Sequence, residues 1–213
     1  MTEGKRNQNQ AGFEVKTFPV PFPIEEIKEN IIITSNTPSK LSKEQIINQA
    51  LKFHGQGNVS EAGKYYQQFI NQGFKDHRVF SNYGVILKDL GKLEEAEFLH
   101  KEAIKINPTF ADAYNNLGLI FRDFGKLVEA ESYFRKAIEL KSDFAIAHIN
   151  LGNTLRELGK LEEVINFSKS TLKLNSNTLG HKLETLLNIT LTNLIIGDFS
   201  ETSYNSKRMN ELI

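Results

Sequence analysis

Five asparagines, Asn48, Asn82, Asn116, Asn150 and Asn188, recur along the chain, the first four spaced 34 residues apart. A carboxamide carries two N–H donors and a carbonyl acceptor. A row of them can pair with the alternating N–H and C=O groups of an extended peptide while ignoring its side chains. The same row can equally hydrogen-bond within its own scaffold. A second recurrence couples a base to an acid, as Lys88-Asp89, Arg122-Asp123 and Arg156-Glu157, each pair 34 residues from the next. Either these pairs form a charged rail that selects acidic or mixed-charge partners, or base pairs with acid between successive units. The latter contact is worth under about 1 kcal/mol at an exposed surface.

Other chemistry is harder to find. Histidines at 54, 77, 100, 148 and 181 make no HExxH or comparable ligand spacing. His54-Gly55-Gln56-Gly57 follows no strand and is a poor phosphate loop. No catalytic residue, metal or cofactor is expected, and the chain is read as a non-enzyme. Lys+Arg and Asp+Glu are both 26, so no global field gathers nucleic acid or anionic lipid. With zero cysteines there is no disulfide and no thiolate site. The polar start MTEGKRNQNQ has no apolar core of a signal peptide, and stretches such as Ile31-Ile32-Ile33 are far too short to span a bilayer. A cytoplasmic protein is expected.

The elements that carry these residues follow from the period. A Gly-polar-apolar triplet recurs as Gly57-Asn58-Val59, Gly91-Lys92-Leu93, Gly125-Lys126-Leu127 and Gly159-Lys160-Leu161, with Gly197-Asp198-Phe199 arriving 38 residues later. Glu follows each glycine by four, at Glu61, Glu95, Glu129, Glu163 and Glu201. The stretches between have helical apolar spacing and no proline except Pro108, so each unit reads as helix, Gly turn, helix. A helix pair this short cannot cover both its apolar faces, whereas stacked copies can.

These residues resemble the tetratricopeptide repeat: Asn116-Leu117-Gly118, Phe121, Gly125, Ala130, Phe134 and Ala137, with Pro108 at the pattern's terminal proline. The resemblance implies an all-α, right-handed solenoid of five helix-turn-helix units at 43–76, 77–110, 111–144, 145–178 and 183–213, with an insertion at 179–182. Departures include Gln49-Ala50 in the first unit and Val164 for the packing alanine in the fourth. Ala62, Ala96 and Ala130 are expected to let helices approach, and Tyr66, Phe98 and Phe134 to supply bulk.

Numbering each unit from its first residue, positions 4, 7, 8 and 11 of the first helix fall on one side, and positions 2, 5, 6, 9, 12 and 13 on the other. The second set holds Arg78, Asn82, Lys88 and Asp89 in the second unit, Asn115, Asn116, Arg122 and Asp123 in the third, and Asn150, Asn153, Arg156 and Glu157 in the fourth. In tetratricopeptide proteins the first helices line the concave surface, so the resemblance implies that this polar set faces a groove. The asparagine row is similar to that of O-linked N-acetylglucosamine transferase repeats, where such amides contact a bound peptide backbone. Ser81, Val85, Ile146 and Asn150 leave the family's carboxylate clamp for chaperone tails incomplete.

The expected function is a scaffold holding an extended polypeptide. The alternative is the regulatory half of a repeat-linked glycosyltransferase, sulfotransferase or oxygenase. Residues 1–40, with four of the five prolines and the run Phe18-Pro19-Val20-Pro21-Phe22-Pro23, read as an extended or disordered leader. The groove face turns apolar at Leu187, Leu191, Leu194 and Ile195, where a peptide could anchor or the chain self-associate. Thr202, Ser203 and Ser206 make the last unit a degenerate cap.

Overall fold

The structure is a computed structural model in which residues 41–173 and 178–212 are described. The leader 1–40 lies outside the described residues. Ten helices occupy the described chain: α1 (Lys43–Gly55), α2 (Val59–Asn71), α3 (His77–Asp89), α4 (Leu93–Ile106), α5 (Ala111–Asp123), α6 (Leu127–Leu140), α7 (Ala145–Glu157), α8 (Leu161–Thr171), α9 (Leu179–Ile196) and α10 (Phe199–Asn210). They form a stack of antiparallel hairpins with no strand among the described residues. Helices α1, α3, α5 and α7 begin at the first residue of each 34-residue unit. The fifth begins earlier: residues 179–182, an insertion by the spacing of the sequence, are the opening turn of an 18-residue α9.

Each hairpin turns at its recurring glycine. Gly57, Gly91, Gly125, Gly159 and Gly197 all have φ between 71° and 87°, where a Cβ would be strained. The recurring Glu lies in the first turn of each second helix, where its charge meets the positive helix terminus.

Close approach within a hairpin depends on small residues. Ala62, Ala96, Ala130 and Val164 are fully buried in successive second helices. On the facing helices, Gly84 lies under the His100 ring and Gly118 under the Phe134 ring, where an added Cβ would come within 2.7 Å and 2.5 Å of ring atoms respectively. This corrects one expectation from the sequence. Phe98 is 60% exposed, and the residue in register with Tyr66 and Phe134 is His100, with no exposure at all. His100 is two residues further along, one 34-residue period from each of them.

Successive first helices touch, α3 with α5, α5 with α7 and α7 with α9, while successive second helices do not pack comparably. The stack therefore curves with its first helices on the inside. Between α6 and α8 long side chains bridge the wider gap: Glu131 accepts from Arg135 at 2.9 Å and from Lys160 at 2.7 Å, and Arg135 also pairs with Glu163. Burial would raise the Glu131 carboxyl, but the hydrogen bonds from Lys160 and Arg135 outweigh it and hold it below its ordinary value.

Candidate functional groove

The inner face is built from helix register. At about 100° per residue, positions 2, 5, 6, 9, 12 and 13 of each first helix fall within about 120° of one another, as a stripe on one side of the helix. Stacking then sets the stripes side by side.

The asparagine row is interrupted. Asn48 is exposed and Asn82, Asn116 and Asn150 are half-buried, but Asn188 is only 4% exposed. Asn82 hydrogen-bonds the Tyr66 hydroxyl, which also lies 3.1 Å from His54 Nδ1. Asn150 Nδ2 donates to Asn115 Oδ1 at 2.9 Å. Two of the five amides are thus engaged within the stack, as the intrascaffold alternative expects. Asn116 makes no hydrogen bond to a described residue and is half-buried.

Position 5 departs further from the expected open set. Ser81, Asn115 and Ile149 are between 3% and 5% exposed; Ser81 Oγ lies 3.4 Å from His100 Nδ1 on α4, and Asn115 accepts from Asn150 of the next first helix. Asn115 is therefore a linker between units and not a groove donor.

The charged pairs do not bridge successive units. Lys88 Nζ lies 3.4 Å from Asp89 within its own helix, while Arg122 and Arg156 make no ion pair with a described residue. Both arginines are half-buried, and Asp123 and Glu157 are exposed beside them. Arg78 is committed to Asp76, which accepts from its guanidinium at 2.8 Å and from its backbone N–H at 2.9 Å. Those bonds, chiefly the guanidinium one, hold the Asp76 carboxyl below its ordinary value. Asn116, Asn153, Arg122 and Arg156 thus make no hydrogen bond or ion pair with a described residue, and Lys88 is weakly held. Among the described residues no group of three or more His, Asp or Glu is placed to hold a metal. No described helix is long and apolar enough to cross a membrane.

Two features escaped the sequence pattern. A hollow of ≈ 410 Å³ opens between α2, α3 and α4, walled by Ile70, Tyr83, Leu87, Phe98 and Leu99. In the next unit the places of Leu87 and Leu99 are taken by Phe121 and Tyr133, whose rings meet in a tilted pair with centroids 4.9 Å apart. The second feature is the inverted polarity of α9, which buries Thr185, Asn188, Thr192 and Asn193 and exposes Leu187, Leu191, Leu194 and Ile195.

With this geometry in place, comparison with known proteins is informative. The tetratricopeptide repeat model matches residues 111–144, and a second repeat model of the same kind matches 84–125. Residues 84–144 carry tetratricopeptide repeats. The matches do not single out the transferase type of repeat. No curated protein matches the chain by sequence. Among solved structures, MamA is 19% identical with a TM-score of 0.69, covering 80% of this chain and 91% of its own. PilF of Pseudomonas aeruginosa is 19% identical with a TM-score of 0.68, covering 83% and 78%. YrrB, described as a tetratricopeptide protein with an unusual peptide-binding site, is 16% identical with a TM-score of 0.66, covering 82% and 88%. At these identities the likeness to all three is one of fold.

Proposed function

We propose that this chain is an interaction scaffold whose inner, first-helix face grips an extended segment of another polypeptide. The observation that carries the reading is a set of half-buried polar groups without partners on that face, Asn116, Arg122 and Arg156. Guanidinium and amide groups held by a rigid helical frame lose little freedom on binding, so more of each new hydrogen bond appears as affinity. Asn82 and Asn150 act beside them as positioning residues, tied into the stack through Tyr66 and Asn115. The peptide-binding site named for YrrB, a protein of the same fold, supports the reading. The transferase alternative finds no support in the matched models or in these structures.

The test begins with peptides selected by the wild-type chain from a displayed random library. A triple variant, Asn116→Ala, Arg122→Ala and Arg156→Ala, is expected to bind them at least about tenfold more weakly, one lost charge-assisted bond being enough for that. A Lys101→Ala, Lys136→Ala variant on the second-helix face should bind as wild type does. Equal affinity for the triple variant would remove the basis of the proposal.

A further inference from the structure

Successive second helices stand apart where the first helices touch, and what fills the gap between them changes along the stack. Position 25 of the unit carries a base in the second, third and fourth units: Lys101, Arg135 and Lys169. Lys101 is held by Glu97 at 2.5 Å and Arg135 by Glu131 at 2.9 Å, each acid lying one turn back on the same helix at position 21. Glu131 also accepts from Lys160 of the next hairpin. Between α6 and α8, therefore, one carboxylate sits among two bases and is only 8% exposed. In the fourth unit position 21 is Ile165, so the base is kept and its acid is gone.

The gap between α8 and α10 shows the consequence. It is a cleft of ≈ 340 Å³ lined by three bases, Lys169, Lys173 and Arg208, and by one acid, Glu201. Lys169 turns across the gap to Glu201 at 3.5 Å, as Arg135 does to Glu163. Lys173 and Arg208 make no ion pair with a described residue. The cleft thus holds more positive than negative charge, and an anion is its complement.

A second observation points to the same ligand. Position 23 is Tyr65, Leu99, Tyr133 and Phe167 in the first four units, and Asn205 in the fifth. Asn205 lines the cleft and is only 3% exposed, yet its Nδ2 has no hydrogen-bond partner among the described residues. A buried donor is costly until an acceptor oxygen meets it.

We propose that the cleft between α8 and α10 binds an acidic side chain of a partner polypeptide, its carboxylate taken by Lys169, Lys173 and Arg208 with the Asn205 amide as a further donor. The carboxylate takes the place there that Glu131 holds between α6 and α8. Leu172, Ile189 and Tyr204 line the same cleft and seat an apolar residue beside the acid, which a free anion does not use. The site belongs to the second helices and is separate from the inner face.

The probe is a rhodamine-labelled peptide, Gly-Leu-Glu-Glu-Leu-Gly, followed by fluorescence anisotropy beside its glutamine counterpart, Gly-Leu-Gln-Gln-Leu-Gly. The full-length chain is expected to bind the glutamate peptide at least about tenfold more tightly, a preference that shrinks as salt rises. Lys173→Glu with Arg208→Glu, at two exposed side chains, should abolish the preference and leave helical circular dichroism unchanged. Asn205→Leu, which restores the leucine of the second unit, should raise the unfolding midpoint while weakening the glutamate peptide several-fold. The inner-face variant, Asn116→Ala, Arg122→Ala and Arg156→Ala, should bind that peptide as the wild type does. Equal affinity for the two peptides would overturn the proposal, as would a preference that survives the double charge reversal or is lost in the inner-face variant. So would wild-type affinity in Asn205→Leu, or glutarate displacing the peptide at equal concentration. Library-selected peptides test the inner face separately, so either reading can fail alone.

Discussion

Helices α5 and α9 hold corresponding places in their units and treat their side chains in opposite ways. In α5, Leu117 and Ile120 are buried and Asp112 and Asp123 are exposed, whereas α9 buries Thr192 and Asn193 and exposes Leu191 and Leu194. The facing helices change in step. The residue packed over the small position of the first helix is His100 over Gly84, then Phe134 over Gly118, then only Ser168 near Gly152. In a stack of nearest-neighbour contacts, each unit is as well buried as its neighbours make it. The centre is tight because it is covered on both sides. The C-terminal end is loose inside and apolar outside.

The largest effect that would sharpen this contrast is at His100. Burial, with a smaller contribution from Lys88, lowers its pKa from 6.5 to about 4. The folded value lies below the unfolded one, so the neutral ring's stabilisation is complete above pH 6.5 and is lost as pH falls toward 4. Linkage puts the loss at about 3 kcal/mol on reaching the folded pKa. His100→Phe copies the Phe134-on-Gly118 arrangement and should flatten this part of the acid limb in urea unfolding measured from pH 7 to pH 4. An unchanged limb would mean that other groups govern acid unfolding.

Next in size is Gly118→Ala. Its Cβ would lie 2.5–2.8 Å from the ring of the fully buried Phe134, an overpacking that costs about 1–3 kcal/mol. Smallest is Gly152→Ala, where the nearest atom, Ser168 Oγ, is at 3.6 Å, an ordinary contact. Here the better helix propensity of alanine should leave stability unchanged or raise it by up to about 1 kcal/mol. Equal losses for the two substitutions in denaturant titrations would break the contrast between the centre and the end.

Much of the fold was legible because a fixed period repeats its own evidence. The turn glycines, the first-turn glutamates and the starts of α1, α3, α5 and α7 all follow from spacing. What spacing could not supply was cover. Asn115 and Asn116 are adjacent letters, yet one is 5% exposed beneath α7 and the other is half-open. Asn188 continues the asparagine row in sequence but is buried, since α9 starts a turn early and turns its polar side inward. Phe98 is exposed although bulk in the core was expected of it, because hydrophobicity alone does not set register on a helix. The free arginines were legible as a recurrence, whereas their lack of partners required coordinates.

The central claim is that ligand binds the inner face, and the most direct measurement is amide chemical-shift mapping of the labelled chain on adding a selected peptide. The account predicts the largest shifts along α5 and α7, around Asn116, Arg122, Asn153 and Arg156. Shifts concentrated on α4, α6 and α8 would contradict it.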